Sequence, residues 1–218
     1  MAYFASIALL LMLISTPAFA EDREYKGADD FLSSLPATTK LTKVMQASGD
    51  LNGAHLDDLA ILVQSMDSGR KTSQLFMLLN SGDGGYRLAT GTKQIVTDQL
   101  SINVKIHANQ LYVSVASERG GGWGTNQFEP HNGAFRLVML RLHLADFDQS
   151  TNVLRGVDTA FNLLNGDVAF TNIVTHKVER FKVARDSCYL ADYDFDLFFC
   201  LDLLPSSSGD LSDHVFPH

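Results

Sequence analysis

Apolar residues in this chain come in short runs separated by clusters of Gly, Asn, Asp and Ser, a punctuation that predicts strands joined by tight turns. Leu59 to Val63 and Leu75 to Leu79 are two such runs, and a Gly-rich turn leads from the second to Tyr86-Arg87-Leu88. Leu41 to Ala47 reads as the strand before them. Further on, Ile102, Val104 and Ile106 alternate with polar residues, as do Leu111, Val113 and Val115. Ala108-Asn109 lies between these two runs and marks a hairpin, each strand having one buried and one wet face. Ala134 to Leu144, Val153 to Leu164, Val168 to Val174 and Val178 to Ala184 are further strands, with Asn165-Gly166 read as a type I′ turn. From Cys188 to Leu204, alternation puts Tyr193, Phe195, Leu197 and Phe199 on one face and Asp192, Asp194 and Asp196 on the other.

Two stretches depart from this pattern. Gly27 to Leu35 predicts a short helix, with Asp29 and Asp30 in its first turn and Pro36 as its stop. Glu118 to Gly133 reads as a loop, because three consecutive glycines, Gly120 to Gly122, sit poorly in a strand interior. The turn signals give roughly ten to twelve short strands. The expected fold is therefore all-β: a compact antiparallel β domain of propeller-like or sandwich sheets, with one short N-terminal helix.

Composition changes the picture in one respect, the compartment. The chain has 218 residues, a net charge of −8, 45% hydrophobic and 19% charged residues, which is a globular balance. Ala5 to Ile14 is apolar apart from Ser6, Pro17 breaks the run, and Ala18-Phe19-Ala20 has the form of a cleavage site before Glu21-Asp22. Residues 1–20 thus read as a signal peptide, although no Lys or Arg precedes the apolar run; the alternative is an anchor left in place. Residues 21–204 then form a single β-rich domain, and 205–218, rich in Ser, Asp and Pro, a flexible tail. The expected location is periplasmic or secreted, where Cys188 and Cys200 would form a disulfide. No membrane span remains once the leader is removed. The acidic balance disfavours nucleic acid and anionic membranes and favours a basic protein partner.

One loop carries a family resemblance. Asp50-x-Asn52-Gly53-x-x-x-Asp57-Asp58-Leu59-Ala60 resembles the loop of integrin-type FG-GAP (VCBS-like) repeats over about residues 48–88. In that family the repeat forms a blade of a β-propeller or a related all-β module, and the loop often binds calcium. The resemblance implies Asp50, Asn52 and Asp58 as side-chain ligands, with the Leu56 carbonyl beside them. The pattern's middle carboxylate is Ala54 here and its next glycine is His55, which removes charge from the site. The other reading of the same residues is an Asx turn that shapes the strand entry without metal.

No G-x-S-x-G nucleophile motif and no H-E-x-x-H zinc motif occurs. The expectation is a non-enzymatic exported binding module for another protein or a glycan, in one version a periplasmic inhibitor or immunity protein against a basic toxin. Arg119 and Trp123 in the glycine-rich loop, and the Asp192, Asp194 and Asp196 face, are the candidate contacts. The alternatives are a calcium-stabilised structural module and a hydrolase whose carboxylates come from distant strands.

Overall fold

The computed structural model describes residues 23–36, 41–148, 153–182, 188–196 and 199–200. The expected leader (1–20) and tail (205–218) lie outside the described residues.

Two antiparallel sheets account for the described strands, as the alternation predicts. The first contains β1 (Glu24–Tyr25), β2 (Leu41–Gly49), β3 (Asp58–Asp67), β4 (Arg70–Asn80), β5 (Tyr86–Gly91) and the short β6 (Ile95–Val96). Its order is β1-β5-β4-β3-β2, with β6 also pairing β4. The second is a seven-stranded meander of β7 (Leu100–His107), β8 (Gln110–Ser117), β9 (Gly122–His131), β10 (Ala134–Asp148), β11 (Val153–Asn162), β12 (Asp167–Asn172) and β13 (Val178–Lys182). The two facing sides share a core: Ala60, Leu62, Leu75 and Met77 of the first sheet cluster with Ile102, Val104, Leu111, Val113 and Phe128 of the second. On its other side the first sheet is covered by α1 (Ala28–Ser34), whose Phe31 packs edge-on against Tyr25 and Phe76. That double coverage explains why Leu59 to Val63 is apolar at every position.

Turn chemistry sets the register. Ala108 and Asn109 have φ of 49° and 61°, a two-residue turn of the expected primed type. The same device joins β3 to β4 at Ser68-Gly69, and β9 to β10 at Asn132-Gly133. The expected two-residue turn at Asn165-Gly166 is instead a four-residue loop between Asn162 and Asp167. The Asn162 side chain accepts N–H bonds from Leu164 and Asn165, the Gly166 N–H reaches the Asn162 carbonyl, and only Gly166 has positive φ. Asn172 repeats this arrangement with Val174, Thr175 and His176, the last at φ 57°.

Two further expectations are corrected. The supposed loop from Glu118 to Gly133 is a turn only as far as Gly121; Gly122–His131 is β9, in the interior of the sheet. Gly122 belongs there because a Cβ would stand 2.9 Å from Leu144 Cδ2 and 3.0 Å from the His143 carbonyl. The segment from Cys188 is a 3-10 turn over Leu190–Asp192 followed by irregular chain rather than a strand. It lies beside β10 where β11 has ended: Leu137 N–H donates to the Cys188 carbonyl, and Tyr189 bridges to Arg136. The alternation of burial holds nonetheless, with Tyr193 and Phe195 buried and Asp192, Asp194 and Asp196 exposed.

β10 contains a bulge between Leu137 and Met139, which opposes two residues to one and reverses the alternation. Phe135 and Leu137 before it, and Leu140 and Leu142 after it, therefore face the same way. The later pair joins Val157, Phe161, Val168 and Phe170 in a second cluster on that side of the sheet.

Candidate functional site

The side of the β7–β13 sheet turned away from the shared core is polar, and the strand register sets its side chains in rows. One row reads Trp123, His143, Asp158 and Thr171 across β9, β10, β11 and β12. Trp123 is 48% exposed. Its ring lies nearly parallel to His143, with centroids 5.5 Å apart and planes within 14°. His143 Nδ1 is 2.7 Å from Asp158 Oδ1, which fixes the imidazole plane on which the indole rests. The carboxylate thus orients the imidazole, and the imidazole orients the indole.

The neighbouring row, two residues along each strand, reads Thr125, Arg141, Ala160, Ala169 and Arg180. Both arginines are exposed, and among the described residues neither forms an ion pair. Beside Arg180 lies a groove of about 350 Å³ lined by Met139, Ala160, Asn162, Asp167, Val168, Ala169 and Phe181; Arg141 does not line it. Asp167 within it is paired with Lys182.

Arg119 projects from the β8–β9 turn just before Trp123, so the structure places these two sequence-derived candidates on one hairpin. The turn is tied at its base, where Lys71 Nζ donates to Glu118 Oε1 at 2.8 Å and Glu118 N–H to the Gln99 carbonyl. His143, Asp158, Arg141 and Arg180 are the members of this face that sequence reasoning missed. Arg141 and His143 were visible as polar residues alternating with leucines on β10, but their cross-strand neighbours are set by the bulge and the turns.

Asp192, Asp194 and Asp196 belong to a separate region, the loop closed by the Cys188–Cys200 disulfide, whose Cα atoms are 6.2 Å apart. Tyr193 and Phe195 anchor that loop in the core, and Tyr193 packs against Phe128 and Phe199. Asn126 Nδ2 donates to the Tyr193 hydroxyl at 2.7 Å, and burial holds that phenol far above its ordinary ionisation range. The disulfide is consistent with an oxidising compartment. Among the described residues no helix is long and apolar enough to cross a membrane.

The Asp50 loop has the geometry of linked Asx turns. Asp50 accepts N–H bonds from Gly53 at 2.7 Å and His55 at 2.9 Å, and Asn52 accepts one from Ala54 at 2.8 Å. Asp58 is fully buried, and its two oxygens accept the N–H groups of Leu51 and Asn80, each at 2.8 Å. The carboxylate therefore clamps the start of the loop to the end of β4. Among the described residues no three His, Cys, Asp or Glu side chains converge as a metal-ligand group.

Chemically, the Trp123 row offers an aromatic surface backed by a fixed imidazole, and the next row offers two guanidinium groups. His143 has Asp158 as its hydrogen-bond partner, and no described hydroxyl or thiol bonds to the ring. No protein-family model matches the chain, and neither does any curated protein or solved structure.

Proposed function

We propose that the protein is an exported, non-enzymatic binding module, periplasmic or secreted, that engages its partner with the outer face of the β7–β13 sheet. The observation that carries this reading is Trp123: a large aromatic left 48% exposed, yet held in one orientation by His143 and, through it, by Asp158. An indole fixed before contact loses little conformational freedom on binding, which is what makes such residues effective anchors. Its position next to the β8–β9 turn leaves the neighbouring row, with Thr125 and Arg141, open to a partner. The test is retention of envelope or secreted material on immobilised protein, comparing the native chain with Trp123→Ala. Material held by the former and released by the latter supports the reading; identical retention, or none, removes it.

A second reading is favoured by a different observation. Asp192, Asp194 and Asp196 are exposed on a disulfide-closed loop anchored by two buried aromatics, which suits an inhibitor of a basic toxin in the manner of immunity proteins. Loss of partner retention in Asp194→Ala, with Trp123→Ala neutral, would select it over the first.

A further inference from the structure

We infer that the ligand of this face is an anionic sugar chain, carboxylated or sulfated, lying along the row from Thr125 to Arg180. The inference rests on the binding-module reading and names its ligand class. Although the chain as a whole carries a net charge of −8, this row presents two guanidinium groups with no acidic partner among the described residues. An arginine left unpaired offers its planar fork of donors to an external carboxylate or sulfate. Arg141 and Arg180 are separated by Ala160 and Ala169, so three inter-strand steps, about 14 Å, divide their Cα atoms. That spacing suits two separate acidic groups on an extended chain better than one small anion.

The surface between the arginines fits rings. Ala160 and Ala169 form a low floor flanked by Met139, Asn162 and Asp167, whose carboxylate is paired with Lys182, and the groove there is open to solvent. Trp123 stands one row away, its ring braced from beneath by His143. Trp123 is on β9, two strands from Ala160, and its exposed indole gives a further ring of an extended sugar chain an apolar face to lie on. Asn162, half-buried, supplies an amide at that floor, and Thr125 a hydroxyl at the other end of the row, beyond Arg141.

The test uses the intact, disulfide-bonded protein and its single tryptophan as the reporter. Fluorescence is followed during titration with oligogalacturonate (carboxylated), dextran sulfate (sulfated), uncharged dextran and polyglutamate. Saturable binding of either acidic sugar is expected, weakened by salt, with no response to uncharged dextran. Arg141→Gln and Arg180→Gln are each expected to weaken it about tenfold, as for loss of one charge-assisted contact. Both substitutions are on the surface and leave the core intact, so unchanged thermal unfolding will certify the variants. Equal binding of polyglutamate, or acidic-sugar binding indifferent to both substitutions, overturns the inference. Absence of acidic-sugar binding also overturns it, and Trp123-dependent retention of some other partner would then show that the binding-module reading survives without it.

Discussion

Asp58 and Asn80 are joined across the first sheet by a 2.8 Å bond from the Asn80 N–H to the buried Asp58 carboxylate, while the other oxygen of Asp58 holds the Leu51 N–H. One side chain therefore serves two stretches of backbone far apart in sequence. Asp58→Ala removes both acceptors inside a sealed region and is expected to cost about 3 kcal/mol, measured by urea unfolding. A loss below about 1 kcal/mol would show that water replaces the carboxylate without difficulty.

The same loop makes a prediction about metal. Asp50, Asn52 and Asp58 are each satisfied by backbone N–H groups. EDTA is accordingly expected to leave the melting temperature unchanged. A drop of several degrees that calcium reverses, and that Asp50→Ala abolishes, would restore the ligand set implied by the FG-GAP resemblance.

Trp123 should already behave as a water-exposed indole in the native state. Its emission maximum is expected to move little when the protein is unfolded in guanidinium, and acrylamide should quench it readily before unfolding. A large red shift on unfolding would mean that the ring is covered. Trp123→Ala should change stability by less than about 1 kcal/mol, as expected for a surface position.

Reduction of the Cys188–Cys200 bond releases a loop closed across 12 positions and is expected to lower stability by about 3 kcal/mol. Thermal melts with and without dithiothreitol measure this, and a Cys188→Ser, Cys200→Ser double variant should match the reduced protein. The loss should be accompanied by greater exposure of Tyr193, because the bridge closes the segment that seats that ring in the core.

Tyr193 also gives the protein an alkaline limit. Its phenol keeps its proton in the folded state well above the ordinary value of 10.0, because burial disfavours the phenolate, whereas the unfolded chain releases it near that value. Above pH 10 the native state thus binds one more proton than the unfolded state, and stability falls as pH rises, by about 1.4 kcal/mol per unit from this group. Below pH 10 its contribution is constant. Tyr193→Phe is expected to start from a lower stability, since Asn126 loses its partner, but to decline less steeply between pH 10 and 11. Parallel declines in the two proteins would refute the assignment.

The sequence showed most of the architecture because alternation is written directly in residues such as Ile102, Val104 and Ile106. β9 was hidden because its inward positions are Gly124, Asn126 and Phe128, only one of which is a large apolar side chain. Asn126 is buried through its bond to Tyr193, a contact 67 positions away that no local pattern can announce. The last segment misled in the opposite sense. Tyr193 and Phe195 alternate with aspartates as a strand would, yet Phe195 adopts φ 61°, which no regular strand contains. The candidate surface was half legible: Arg119 and Trp123 were conspicuous beside their glycines, whereas Arg141, His143, Asp158 and Arg180 converge only through strand pairing.

The extra residue in β10 has the widest reach of any single position. Were Val138 excised, everything downstream on that strand would turn over: Leu140 and Leu142 would meet water, and Arg141 and His143 would point into oil. A strand 15 residues long thus works as two shorter ones spliced out of phase, and the splice decides which chemistry the molecule shows to the outside.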